Sequence, residues 1–433
     1  MVLNSNDNSK SLLEKIEGLC FYVIALNLLW SFFADSFLTH FFLVACVLIF
    51  GIMIINSVRN IRSYSSASNA LLYFSIILWS LIMVFVYEFF YPVYSKINFL
   101  FITADSHSVF FMRVLVAIVP CIAFSNRNSI KFGKLFKAIV LIVLIISFIY
   151  TTRAIIVDPD AIRARAVMRE NDLGHILKYT PPFAMVYSYA LLIPWFVHKC
   201  CFTTGKNKWF YIVCTLLLAY IILVSQFATA LIIAIIGALV YLLFVSKNRT
   251  RLFIAILSIV VLYIIIFMDG GAEVFNRLAN NVQGAWSLKL KDIATVLAGG
   301  EDSGSISGRQ KLYKESIIAF FKSPVIGKFL NETGNIGGHA TGIDVLGLTG
   351  LLGFIPFMLS IYSNSLRMKK NCGYNKIKSV VVASTVQFVI LVFTKNIITS
   401  LAIFFTYFAF IPLLVKSEGN GEMGHELNKN NGV

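Results

Sequence analysis

Twelve apolar runs punctuate this chain of 433 residues, and a sequence built that way has few folds open to it. They fall at residues 18–34, 38–56, 70–90, 108–124, 138–152, 181–197, 209–225, 228–246, 252–268, 343–363, 380–393 and 397–415. A helix needs about 20 apolar residues to cross the hydrocarbon of a bilayer, where every backbone polar group must be satisfied internally. The runs therefore predict an all-α polytopic membrane protein with about 12 transmembrane helices. Composition agrees: 58% of residues are hydrophobic and 13% charged, with a mean hydropathy of +0.80. A soluble domain carries about 25% charged residues, so an ordinary soluble enzyme is excluded.

An even number of spans puts both termini on one side, and the basic residues say which. Of the 37 Lys and Arg, 21 lie in the tails and loops on the side of the termini, and only Lys96 and Lys395 lie in the short loops opposite. Short-loop asymmetry of this kind makes the basic side cytoplasmic. The net charge of +16 is thus accounted for by orientation and by anionic headgroups, and no nucleic-acid partner is expected. Residues 1–17 are polar and lack an apolar core followed by a small-residue cleavage site, so the first span is expected to serve as the insertion signal. The seven cysteines fall in spans or inward loops, where no disulfide is expected, and the adjacent Cys200 and Cys201 have no neighbouring ligand set.

Two long segments, 153–180 and 269–342, then face outward. Long loops cross regardless of charge, yet these two hold 13 of the 15 outward basic residues, which points to something anionic being handled there. In the larger one, Phe275, Leu278, Val282 and Trp286, then Leu290, Ile293, Val296 and Leu297, recur at near-helical spacing. They predict short amphipathic helices on the membrane surface, which as a bland alternative only plug the outer face. Ser307 and Gln310 stand at capping-box spacing and predict a helix over 308–322, stopped by Ser323 and Pro324. Arg309 would lie in its first turn, where the backbone amides already favour an anion that an Arg grips bidentately. A glycine-rich loop, 334–338, leads to His339 at the outer mouth of the tenth span. The expected organisation is nine spans with the outward loop 153–180 in residues 1–268, the large outward loop in 269–342, three spans in 343–415, and a polar disordered cytoplasmic tail in 416–433.

The segment reads Ser307-Gly308-Arg309, Leu312-Tyr313, FFKSPVIG over 320–327, Gly337-Gly338-His339 with Asp344, and GLTGLLG over 347–353. This order, on a twelve-span background, resembles the bacterial O-antigen ligase and Wzy-type polysaccharide polymerase superfamily. The resemblance implies a membrane glycosyltransferase of the GT-C type, acting at the outer face of the inner membrane on an undecaprenyl-diphosphate-linked glycan donor and acceptor. It makes Arg309 the loop arginine and His339 the loop histidine, and Tyr313, Gly337, Gly338 and Asp344 are candidate supports; the alternatives are an interfacial snorkel for Arg309, a structural role for His339 and a carboxylate that only complements the helix dipole for Asp344. A chain-length regulator is a candidate protein partner, and no cofactor is expected. One departure matters. Where the family often carries a Ser-Arg-Gly-like turn between two spans, this chain has Ser225-Gln226-Phe227-Ala228, so the second arginine is missing at Gln226.

The cluster Arg163, Arg165 and Arg169 in the other long segment is the substitute that the sequence offers as a diphosphate clamp. Those arginines alternate with Asp158, Asp160, Glu170 and Asp172, so a self-neutralising loop is the alternative. The outward loops offer no paired carboxylates with a His at ligand spacing, so no metal is assigned. Arginines then stabilise the departing diphosphate, and His339, near neutrality, orients or deprotonates the acceptor hydroxyl. Polymerase is preferred over ligase for the Gly-Gly-His-x4-Asp pattern. A lipid-linked oligosaccharide flippase is the rival of another class, but its spans should carry ionisable residues. Here only Arg113 lies well inside one.

Overall fold

The computed structural model describes residues 15–16, 18–26, 44–45, 48, 51, 67–90, 96–99, 102–127, 133–157, 181–245, 271–282, 285–298, 305–328, 336–372, 375–398 and 400–417. The apolar run at 252–268 and most of those at 18–34 and 38–56 lie outside the described residues. So does the polar tail beyond Ser417.

The described chain runs α1 (Ala67–Phe89), β1 (Lys96–Phe99), β2 (Ile102–Asp105), α2 (Ser106–Arg113), a π-helical stretch (Val114–Ile118) and α3 (Val119–Arg127). It continues through α4 (Gly133–Val157), α5 (Phe183–Phe202), α6 (Lys206–Val224), α7 (Ala228–Val245), α8 (Gly271–Asn281) and α9 (Ala285–Leu297). Last come α10 (Ser305–Lys322), α11 (Thr341–Asn371), α12 (Asn375–Thr394), α13 (Leu401–Phe405) and a second π-helical stretch (Thr406–Phe410). Among the described residues, 8 helices are long and apolar enough to cross a membrane. This is an integral membrane protein. The antiparallel hairpin β1–β2 is the one departure, among the described residues, from the all-helical expectation.

Two kinds of contact hold the bundle together. An aromatic column joins α1, α2, α11, α12 and α13: Trp79 stacks on Phe357 at 4.6 Å between ring centroids and meets Phe111 edge-on at 5.1 Å. Phe388 stacks on Tyr407 at 4.0 Å. Polar keys do the rest, as is common where lipid removes the hydrophobic incentive for helices to associate. The Gln387 amide of α12 donates to the carbonyls of Ala190 and Ile233, both at 2.9 Å. It fills the notch left by Gly237, where a Cβ would meet the Gln387 amide nitrogen at 1.9 Å.

Arg367, expected in a cytoplasmic loop, is instead 1% exposed inside α11. Its guanidinium donates to the Asn364 side chain and to the Phe408 carbonyl, both at 2.7 Å. The Asn364 amide donates to the Tyr407 carbonyl at 2.9 Å. Both carbonyls belong to the π-helical stretch at 406–410, where the backbone ladder has slipped from α register, and side-chain donors fit that defect.

The tenth predicted span, 343–363, is longer than expected and is broken. In α11, Gly350 has φ 58° and ψ −152°, a conformation essentially reserved for glycine. The break frees backbone groups that lipid could not satisfy, and the turn at 323–328 takes them up. Leu351 and Leu352 donate their amides to the carbonyls of Pro324 and Val325 at 2.9 and 3.0 Å, and Lys328 donates to the Gly347 carbonyl at 3.0 Å. Gly327 faces Gly350 so closely that a Cβ on either would come within 2.6 Å of the other's backbone nitrogen. The Ser-Pro-x-x-Gly stop and the glycine-rich span are therefore the two halves of one backbone joint.

Candidate active site

That joint delivers α10 onto the start of α11. The helix opens at Ser305, earlier than the capping-box reading placed it, so Arg309 is its fifth residue and lies past the first turn. The expected grip by N-terminal amides is corrected accordingly. Glycine allows the close approach that follows. A Cβ on Gly347 would meet the Ser316 carbonyl at 2.5 Å, and one on Gly337 would meet the Leu312 carbonyl at 2.1 Å.

Asp344, in the first turn of α11 and 4% exposed, organises the approach to His339. Its Oδ1 accepts from the Ser316 hydroxyl at 2.7 Å and from the Gly338 amide at 3.2 Å, and its Oδ2 accepts from the Ala340 amide at 2.8 Å. Ser316 in turn accepts from the Gly337 amide at 3.0 Å. The carboxylate thus grips the backbone on both sides of His339, and Gly338, at φ 70°, makes the turn between them.

A second set of bonds ties this loop to the end of α12. The Tyr313 hydroxyl donates to the Thr394 carbonyl at 3.3 Å, and the Thr341 amide donates to the Lys395 carbonyl at 3.0 Å. The Ile397 amide donates to the Thr341 hydroxyl at 2.7 Å, and the Asn396 side-chain amide donates to the Gly338 carbonyl at 2.8 Å. Lys395 is thereby fixed beside His339.

A third approach comes from α9. The Trp286 indole donates to the Leu223 carbonyl at 3.4 Å and the Lys289 ammonium donates to the Gln226 carbonyl. Gln226 sits in the turn between α6 and α7 at φ 57°, unusual for a residue with a side chain. Where the sequence lacks an arginine at Gln226, the fold brings a lysine to the same turn.

The electrostatics show how closely these groups gather. Burial lowers the His339 pKa from its ordinary value, and the charges of Arg309 and Lys395 lower it further against the opposing pull of Asp344. The shift favours the neutral imidazole. Burial pushes Lys395 down to about 8, with Arg309 and Lys289 contributing. Burial raises the Tyr313 hydroxyl, opposed by Arg309 and aided by Asp344. One arginine thus acts on His339, Lys395 and Tyr313 together. Half-buried cations of like sign repel one another, so a mouth of this composition is suited to an anion.

With the site assembled, one comparison bears on its kind. Residues 213–328 match the family model of the O-antigen ligases. The match supports the resemblance to the O-antigen ligase and Wzy-type superfamily, and with it an enzyme of ligase or polymerase type that handles lipid-linked glycans in a membrane. A comparison with curated proteins finds no match. The matched segment holds Gln226, Lys289 and Arg309 and ends at Lys328, in the turn that docks on the break in α11.

The structure places Arg309, Tyr313, Gly337, Gly338, His339 and Asp344 around one loop. Arg163, Arg165 and Arg169 lie outside the described residues. Arg113 lies half-buried where α2 passes into its π-helical stretch. Sequence reasoning missed Ser316, Lys289 and Lys395. Lys395 did carry a signal, as one of two cations in the short outward loops, but Lys289 looked like any interfacial lysine of an amphipathic helix.

Proposed function

We propose that this chain polymerises undecaprenyl-diphosphate-linked oligosaccharide repeat units into O-antigen or capsule-like polysaccharide at the outer face of the bacterial inner membrane. The reading includes a GT-C-type enzyme of twelve spans with both termini in the cytoplasm. A hydroxyl of the acceptor attacks the anomeric carbon of the donor, a new glycosidic C–O bond forms, and the bond from that carbon to the diphosphate breaks. Undecaprenyl diphosphate leaves with the electron pair, and the hydroxyl proton passes to His339. Arg309 stabilises the charge that grows on the diphosphate, with help from the Arg163 to Arg169 cluster. Diphosphate leaves readily, so the scheme needs neither a general acid nor a metal.

The observation that carries this reading is the pairing of a neutral imidazole with an arginine at one mouth, with the loop between them held by Asp344. A base for the hydroxyl and a cation for the leaving group are the two things that the reaction requires. The second reading, transfer of finished glycan onto lipid A core, is favoured by the family description of residues 213–328 as O-antigen ligase. The glycolipids of a deletion strain separate the two. Loss of polymerase leaves a single repeat unit on core, whereas loss of ligase leaves free lipid-linked polymer. Single units trapped on the cytoplasmic side would instead identify a flippase and overturn both readings.

A further inference from the structure

We propose that this chain holds one anionic phospholipid at the end of the bundle opposite the His339 mouth, with the lipid phosphate at Lys137 and Lys199 and an acyl chain in the apolar cleft beside them. The site is separate from the candidate active site and does not depend on the reaction proposed there.

Three helices bring the headgroup end together on one ring. Tyr211, near the start of α6, is 2% exposed. The Lys137 ammonium of α4 lies 5.6 Å from its ring centroid, and the Lys199 ammonium of α5 lies 5.4 Å from it. The two charges therefore stand no more than about 11 Å apart, the sum of those distances. Lys199 also lies 6.0 Å from the Trp195 ring, which meets Tyr211 edge-on at 5.7 Å. An ammonium has three N–H donors, so one drawn to a ring can still donate to a phosphate oxygen. Trp209, beside Tyr211 in sequence and 70% exposed, puts this level at the membrane–water interface, where exposed tryptophans gather.

The cleft lies along the same helix faces. Val140 and Leu144 follow Lys137 by one and two turns of α4, Phe196 and Leu192 precede Lys199 by one and two turns of α5, and Leu218 follows Tyr211 by two turns of α6. With Phe410 they line a narrow cleft of about 640 Å³, counting its open side, and no polar atom faces it. Tyr189 also lines it, but its hydroxyl is engaged with Ser147 at 3.0 Å. Water has no hydrogen-bond partner in such a space, so an apolar chain is the occupant it suits.

Lysines at this end have an ordinary explanation, since inward loops are basic and long cationic side chains snorkel to the interface. Snorkelling alone would carry two like charges apart into water. Here both are half-buried and share one ring at the rim of an apolar cleft. An anion for the lysines and an apolar chain for the cleft are the two ends of one phospholipid. The lipid-linked donor does not fit, because its diphosphate belongs at the other end of the bundle. Lys376, at the start of α12, lies 4.2 Å from the ring of Phe202, close after Lys199 on α5. The far end of α12 leads to Lys395 and the His339 loop. Some 19 residues separate Lys376 from Lys395, about 28 Å of helix at about 1.5 Å a residue.

The test gives the purified full-length protein, in neutral detergent, dioleoyl phosphatidylglycerol and dioleoyl phosphatidylcholine, which share their chains and differ in net charge. Native mass spectrometry counts the lipid retained. One phosphatidylglycerol should be kept in preference to phosphatidylcholine. K137Q and K199Q should each weaken its retention by about fivefold, the size expected for one lysine near an anionic headgroup, and weaken phosphatidylcholine by less. Filling the cleft with V140F, or with L26F if that variant does not accumulate, should weaken both lipids alike. Equal retention of the two lipids by wild type, or an undiminished preference in both K137Q and K199Q, would overturn the inference. Full retention by the filled variant would overturn it as well, since the chain would then lie elsewhere. Displacement of phosphatidylglycerol by an equal amount of undecaprenyl phosphate would assign the cleft to an isoprenoid carrier and overturn the phospholipid.

Discussion

At the scale of single residues, His339 and Asp344 divide one task. Asp344 is a buried carboxylate whose oxygens accept from a hydroxyl and two amides, so it holds a loop. His339 keeps an exposed edge on that loop, and the partial desolvation of its ring, then Arg309 and Lys395, hold its pKa low. If it accepts the acceptor's proton, His339→Ala should slow transfer by about a hundred- to ten-thousand-fold, the usual contribution of a positioned proton acceptor, while donor affinity barely changes. A parallel loss of donor binding would make it a diphosphate ligand instead. The pH profile carries a sign. Because the pKa is lowered, the acid limb of the rate profile should lie below that of an ordinary histidine, and His339→Ala should abolish it. Arg309 and His339 were legible in the sequence because a proline stop and paired glycines frame them. Lys289 and Lys395 were not, since each resembles a lysine at a membrane interface until the tertiary fold brings the first to the Gln226 turn and ties the segment of the second to the His339 loop.

At the scale of elements, the controlling feature is the joint between the 323–328 turn and the break in α11. Any side chain at Gly350 forces a residue into a left-handed conformation and drives a Cβ to 2.6 Å from the Pro324 carbonyl oxygen. Gly350→Ala should therefore destabilise the protein by roughly 1–3 kcal/mol of backbone strain alone, read as a lower thermal midpoint in detergent. Activity should fall with it, because the joint positions α10. An unchanged midpoint would show that the turn does not depend on this contact. Apolar runs announced the spans, since burial in lipid demands them. The break was not visible, because one glycine within a glycine-rich run reads the same whether the helix continues or stops.

At the scale of the whole molecule, eight described helices are long and apolar enough to span a membrane. Arg367 had been counted among the cytoplasmic charges, yet it lies inside the bundle. The asymmetry with Lys96 and Lys395 stands without it, because every other inward loop is also basic. Cysteines placed at the exposed Lys311 and Lys369 in a cysteine-free background test the orientation. An impermeant thiol reagent added to cells with a permeabilised outer membrane should label the first and spare the second. The reverse pattern would put the Arg309 mouth in the cytoplasm and remove the proposed chemistry.

The central claim, that the mouth of Arg309 and His339 transfers glycan from a lipid diphosphate, is tested most directly by reconstitution. Purified protein in lipid, given defined undecaprenyl-diphosphate-linked repeats with chelator present throughout, should lengthen the glycan and release one undecaprenyl diphosphate per bond formed. Arg309→Ala should do neither, and Arg309→Lys should recover only part of the rate, because a point charge lacks the bidentate fork. Undiminished elongation by Arg309→Ala, or elongation that appears only when metal is restored, would contradict the account.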